Sequence, residues 1–222
     1  MAETKDKIVT VESLKTVYDT LNENKAPAGF GLGEESLREV TLSDLDSLDG
    51  NGWYLVDNNQ TGIAVNNVYF NYALLRVSST NTGWNVIQEL FTLTSDRTKI
   101  VRSRKSNTEW YGWECENPPM VANREYCTME RHKSLPVYVK LIDINALPNS
   151  TSASFPTNIS GFNGLVSIDG AVMSSSAYNP IGMMDDITDI WLNGTGTSLS
   201  IKTKADLSAR SATIYLKYTK SN

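Results

Sequence analysis

The sequence predicts an all-β protein: two sheet modules behind one short N-terminal helix. Three observations carry that expectation. Runs of four to ten residues rich in Val, Ile, Tyr and Thr recur, bounded by Gly, Asn, Ser and Pro. Amphipathic helical spacing is confined to the first two dozen residues. A proline-bearing break, Glu109-Trp-Tyr-Gly-Trp-Glu-Cys-Glu-Asn-Pro-Pro-Met120, stands near the middle of the 222-residue chain. Pro118 and Pro119 lack an N–H and bias the residues before them toward extended backbone, so strand pairing is expected to stop there. The division expected is a helix over 1–28, a small β-rich domain over 29–118 and a β-sandwich, jelly-roll-like, over 119–222. A single large sheet domain with a proline loop fits the same length.

The helix is read from Thr10 to about Asn24. Thr10 serves as N-cap and Glu12 complements the first-turn dipole. Val11, Leu14, Tyr18 and Leu21 then form a narrow apolar seam of the coiled-coil kind, widened by Val17. A helix this short is marginal alone in water, so the seam must pack either on other copies of itself or on its own β-domain. Ala26-Pro27-Ala28-Gly29 ends it. Gly29-Phe-Gly-Leu-Gly33 lacks the strand–turn–helix context of a dinucleotide fingerprint and reads as an extended linker.

Strands are expected at Trp53–Asp57, Val68–Val77, Val86–Thr94, Lys99–Arg104 and Thr108–Trp113, with helix-like turns near Ser43–Leu48. Val137–Asp143, Leu165–Met173, Ile187–Leu192, Leu199–Thr203 and Ala212–Thr219 follow. In the last of these, Ala212, Ile214, Leu216 and Tyr218 alternate with Thr213, Tyr215, Lys217 and Thr219. Asn149–Ser154, Ser174–Ser176 and Asn193-Gly194-Thr195-Gly196 are turn clusters.

Several function classes fall away on composition. Hydrophobic residues make up 40% and charged residues 20%, enough to bury a core. Net charge is −5 and no basic run tracks a phosphate backbone, which argues against nucleic acid as a partner. No stretch is apolar enough to insert in a membrane, and the first residues lack a signal-peptide core. Cys115 and Cys127 flank the Pro-Pro break and are read as reduced and structural. With His132 the only histidine, they make no zinc site. Asp44, Asp46, Asp49 and Asn51 depart from calcium-loop spacing and read as turn chemistry. No metal or other cofactor is expected. Nor is catalysis: no nucleophile elbow is present, and Glu109/Glu114 and Asp185/Asp186 are carboxylate pairs without a shared face.

In order along the chain, Ala26-Pro-Ala-Gly-Phe-Gly-Leu-Gly33, Gly52-Trp-Tyr54, Gln88, Arg102, Trp110-Tyr-Gly-Trp113 and Glu116-Asn-Pro-Pro-Met120 resemble the knob domain of phage tail fibres and R-type pyocin fibres. Glu130-Arg131, Pro136-Val-Tyr-Val-Lys140, Ala146-Leu-Pro-Asn149 and the closing Tyr215-Leu-Lys-Tyr-Thr-Lys220 are similar to the segment after the knob in phage tail proteins. Lys133-Ser134-Leu135 departs from that pattern, which usually has a Gly-Lys pair, and so do both cysteines. The resemblance implies a virion fibre protein made in the bacterial host cytoplasm. It implies a homotrimer docked through its N-terminus on other tail or baseplate proteins, attaching to a host surface polysaccharide. A head or collar fibre serving assembly alone is the alternative. For the ligand surface the second-half loops offer Tyr178, Asn179, Asp185, Asp186 and Trp191, aromatic faces beside amide and carboxylate groups of the kind that hold sugars. Trp191 as a core residue of its strand fits the same sequence.

Overall fold

The computed structural model describes residues 37–59, 64–80, 85–94, 96–174 and 177–221. The predicted helix, with Val11, Leu14, Tyr18 and Leu21, and the glycine-rich stretch after it lie outside the described residues.

The described residues are mostly strand, with two short 3₁₀ turns. β1 (Arg38–Thr41) runs parallel to β2 (Gly52–Asp57), and a 3₁₀ turn over Leu42–Ser47 links them. β2, β3 (Tyr72–Ser79), β4 (Val86–Thr92) and β5 (Lys99–Ser103) form an antiparallel meander. The two-residue β6 (Glu114–Cys115) pairs with β5 and touches β7 (Glu125–His132) through one parallel pair, Cys115 with Thr128. β7 turns into β8 (Leu135–Ile144), and β8 pairs with β14 (Ser211–Lys220). Beyond β14 lie β10 (Phe162–Met173) and the edge strand β11 (Tyr178–Pro180). β12 (Ile187–Leu192), β13 (Ser198–Thr203) and β9 (Ser152–Pro156) make a separate three-stranded sheet.

From β8 onward the pairings nest: the first strand, β8, bonds the last, β14, and the second, β9, bonds the next to last, β13. β10 departs from the nesting, bonding β14 and β11. The core of this half takes Ile142 and Ile144 from β8, Leu199 and Ile201 from β13, and Ala212, Ile214, Leu216 and Tyr218 from β14. The alternation predicted along β14 is therefore the observed one. A first core, reaching from Val40 to Tyr126 and Val139, fills one face of the meander. β8 serves both: Val139 belongs to the first core and Ile142 to the second.

Four local expectations need correction. The Thr108–Trp113 strand is absent; Trp110 makes one isolated bridge to Arg104, and pairing resumes at Glu114. The two tryptophans instead close on Arg102, which a flat strand that sends alternate side chains to opposite faces does less readily. Val68–Asn71 is outside the ladder, because Asn66 and Asn67 (φ 50° and 60°) reverse the chain between Val65 and Val68. Ser152–Ser154, expected as turn, opens β9, where Ala153 and Phe155 are the less exposed positions and the serines face out. Glu125–His132, not among the strands expected, is a full strand, β7.

Candidate functional site

Of the described residues that carry the knob resemblance, Gln88, Arg102, Trp110 and Trp113 are internal ties. Gln88, fully buried on β4, donates from Nε2 to the carbonyls of Leu45 and Leu48 at 2.7 and 2.9 Å. Its Oε1 accepts from Arg102 Nε at 2.9 Å. The Arg102 guanidinium stacks between Trp110 and Trp113, 4.2 and 4.4 Å from their ring centres, and pairs with Asp46 at 2.7 Å. That Arg102–Asp46 contact is an ion pair rather than an aligned hydrogen bond. Burial draws the Arg102 pKa down and Asp46 pulls it back. The acidic run before β2 is spent in the same way. The Asp44 carboxylate accepts from the Thr41 N–H at 2.7 Å, and Asp49 pairs with Arg104 at 3.5 Å. These three carboxylates point at different partners. Among the described residues, no group of three His, Cys, Asp or Glu side chains could hold a metal ion.

The five predicted ligand residues are spread over two sheets. Tyr178 and Asn179 lie on β11, opposite Met173 and Val172 of β10; Tyr178 is 77% exposed. Asp185 and Asp186 sit in the turn between β11 and β12, where the Asp186 carbonyl accepts from the Lys204 N–H at 2.9 Å. Trp191 is on β12, an edge strand of the smaller sheet. No hydrogen bond, ion pair or ring contact joins any two of the five.

Trp191 is 43% exposed, whereas its neighbours Ile190 and Leu192 pack on the second core. It therefore stands on the outer face of the three-stranded sheet. Register places Ser200 and then Ser154 beside it, the two hydroxyls 2.8 Å apart. The adjoining row is Asp189, Lys202 and Ser152. A β-bulge between Ile187 and Asp189 sets this register. One aromatic ring thus lies in a face otherwise made of hydroxyls, one carboxylate and one ammonium. Asp189, Lys202, Ser200 and Ser154 escaped sequence reasoning; pairing Ile187–Leu192 with Leu199–Thr203 across the Asn193–Gly196 turn would have aligned three of them.

Two further surfaces stand out. The outer face of the meander carries a half-exposed apolar row, Leu55, Leu74 and Phe91, with Tyr72 and Leu93 at its end. Beside it Arg76 pairs with Glu89, Glu89 with Lys99 at 3.1 Å, and Lys99 with Glu116 at 2.9 Å. Those two carboxylates raise the Lys99 pKa, Glu116 the more strongly. The other surface is a groove of about 220 Å³ where the Pro118–Met120 segment and β7 face β14.

The two thiols lie on either side of the β6–β7 contact, and both are free. Asn66 joins them: its Nδ2 donates to Cys115 Sγ at 3.2 Å and to the Cys127 carbonyl at 2.8 Å, while its Oδ1 accepts from the Cys127 N–H at 3.0 Å. Burial pushes Cys115 up to about 12 and Cys127 up to about 11. Burial thus favours the protonated thiol at both positions.

No protein family matches the chain, and no curated protein does. Among solved structures, an N-truncated R2-type pyocin tail fibre aligns at 13% identity over 83% of this chain and 98% of its own, with a TM-score of 0.29. The C-terminal part of an R1 pyocin fibre from P. aeruginosa aligns at 11% identity, over 85% of this chain and 68% of that one, with a TM-score of 0.30. The corresponding R2 fibre of P. aeruginosa gives 13%, 86%, 69% and 0.31.

Proposed function

We propose that this chain is a non-catalytic attachment protein of a phage tail fibre, binding a host-surface polysaccharide as a homotrimer docked to the tail through its N-terminus. The observation that carries the reading is the Trp191 face. A sugar ring presents a C–H face to an aromatic side chain and a hydroxyl rim to donors and acceptors around it. Trp191 supplies the first, and the exposed Ser154, Asp189 and Lys202 the second, with the buried Ser200 bonded to Ser154 beneath them. One such shallow contact is weak. Three copies on one fibre raise the effective concentration and give avidity. Tyr178 and Asn179 on β11, and Asp185 and Asp186 in the turn before β12, would make contacts apart from the Trp191 face. The order of the knob-like motifs supports the fibre assignment.

The test is retention of purified protein on intact host cells, with Trp191→Ala and Tyr178→Ala as variants and light scattering for the oligomer. Loss of retention in Trp191→Ala with an unchanged melting temperature is expected. Retention untouched by Trp191→Ala refutes the assigned face, and a monomer at micromolar concentration refutes the trimer. The apolar outer face of the meander favours a second reading, an assembly fibre of the head or collar with no receptor. On that reading wild-type protein is not retained by host cells at all.

A further inference from the structure

The groove beside the Pro-Pro segment is a second candidate site, unrelated in position to Trp191. Its construction follows from the chain. Pro118 and Pro119 cannot donate to a ladder, so the backbone leaves the sheet after β6 and rejoins it beside β8, where the Asn123 N–H reaches the Leu141 carbonyl at 2.8 Å. A gap remains between that segment and β14. Val139 and Cys115 lie at its apolar floor, and Pro118, Met120, Met129 and Tyr215 line its sides. Met129 is 46% and Tyr215 42% exposed, so neither is consumed by the core. A register shift in β7 between Cys127 and Arg131 falls at this wall, and Glu130 reaches past β8 to Lys217 of β14. The Lys217 ammonium meets both Glu130 oxygens, at 2.7 and 2.9 Å, and both side chains line the groove.

Three properties select the ligand. The volume, about 220 Å³, falls below the roughly 300–1,000 Å³ of sites for drug-sized molecules, so one ring or one short substituent fits. The walls are apolar and include two thioethers, which suit a methyl group better than a hydroxyl. The rim offers one ammonium, Lys217, beside the Glu130 carboxylate, with the Glu116 carboxylate and Thr128 also in the lining. A secondary amide carries the complementary pair: its N–H meets the carboxylate, its carbonyl meets the ammonium, and its methyl enters the groove. We propose that this groove binds the acetamido group of an N-acetylated amino-sugar residue. A free amino sugar would meet those carboxylates but leave the thioether walls unfilled, so the acetyl methyl is what discriminates. Cys115 at the floor stays a neutral thiol, so binding is reversible and non-covalent. The choice of a sugar as carrier rests on the attachment reading above; the groove and its rim pair do not.

The full chain is tested by saturation-transfer NMR with the trimer of β-1,4-linked N-acetylglucosamine. The fully deacetylated trimer and maltotriose are the comparison probes. Saturation is expected to be strongest at the acetyl methyl protons, with both comparison sugars bound at least about tenfold more weakly. Met129→Trp, which fills the groove from an exposed position, and Lys217→Met, which removes the donor, each abolish the methyl signal while leaving the melting temperature within a few degrees of wild type. No signal with wild type overturns the proposal. So does equal binding of the deacetylated trimer, or a signal that survives both substitutions. Host-cell retention separates the two readings. Retained protein that ignores the acetylated trimer sinks the groove alone, and a groove that binds the trimer on a protein cells do not retain sinks attachment alone.

Discussion

Replacing Gln88 by Leu should cost the protein several kcal/mol, though it swaps a polar residue for an apolar one of similar size in a fully buried place. Gln88 holds three hydrogen bonds of 2.7, 2.9 and 2.9 Å, and one of its partners is charged. Leu removes all three at once. The Leu45 carbonyl keeps a donor, the Leu48 N–H at 3.3 Å, but the Leu48 carbonyl and Arg102 Nε lose theirs. Each stranded neutral group costs about 1–3 kcal/mol and a charged one somewhat more, so the net is roughly 3–5 kcal/mol after the gain from burying leucine. In a chain of this length that corresponds to a fall in melting temperature of roughly 6–20 °C. Urea unfolding followed by tryptophan fluorescence measures it, since Trp110 and Trp113 flank the same Arg102. Gln88→Leu combined with Arg102→Met should lose clearly less than the sum of the two single changes, because each single change strands a group that the double change removes. A loss below about 1 kcal/mol for Gln88→Leu, or strict additivity, would refute the network as a tie between the 3₁₀ turn and the meander.

Three other outcomes follow from backbone geometry and burial. Lys133 and Ser134, at φ 50° and 67°, turn β7 into β8 in the left-handed region without a glycine. Ser134→Gly should therefore stabilise by about 1 kcal/mol, read as a rise in the urea midpoint. Gly196 holds φ +71° and a Cβ there would lie 2.4 Å from the Phe162 ring, so Gly196→Ala should destabilise by about 2–4 kcal/mol by the same assay. At high pH, Cys115 is raised from 9.0 to about 12, Cys127 from 9.0 to about 11 and Tyr138 from 10.0 to about 12, each by burial first. A raised acid favours the folded state while protonated, so this stability is whole below pH 9 and drains between pH 9 and about 12. Urea midpoints under reducing conditions should fall steeply across that window, and less steeply in Cys115→Ser. A flat profile would contradict the buried thiols.

Strands with strict alternation were legible: β14 shows its buried set, Ala212, Ile214, Leu216 and Tyr218, in the sequence itself. β9 and β7 were not. Ser152–Pro156 spends its outward positions on serine, which reads as turn, and Glu125–His132 carries its charges on a strand whose partners lie both before and after it. The ligand surfaces were harder still. Large aromatics are mostly buried, so only the register of β12 against β13 reveals that Trp191 faces out. The groove joins residues near 118 and 130 to residues near 216, and nothing local to either stretch announces the other; the β7–β8–β14 pairing brings them together.

A division of labour follows from where the motifs went. Gln88, Arg102, Trp110 and Trp113 are consumed in holding the 3₁₀ turn to the meander, and Met120 after the two prolines in packing on the first core. Side chains so committed cannot vary without loss of stability, and they are not free to read a ligand. Groups open to a partner include Trp191, Tyr178, Met129 and Tyr215, at strand positions that face outward. Such positions can exchange chemistry at little cost, typically within about 0.5 kcal/mol for an exposed site. Recognition can therefore change while the scaffold stays fixed. That is why a resemblance carried by buried ties bears on the scaffold, and why ligand preference has to be sought on the outward faces.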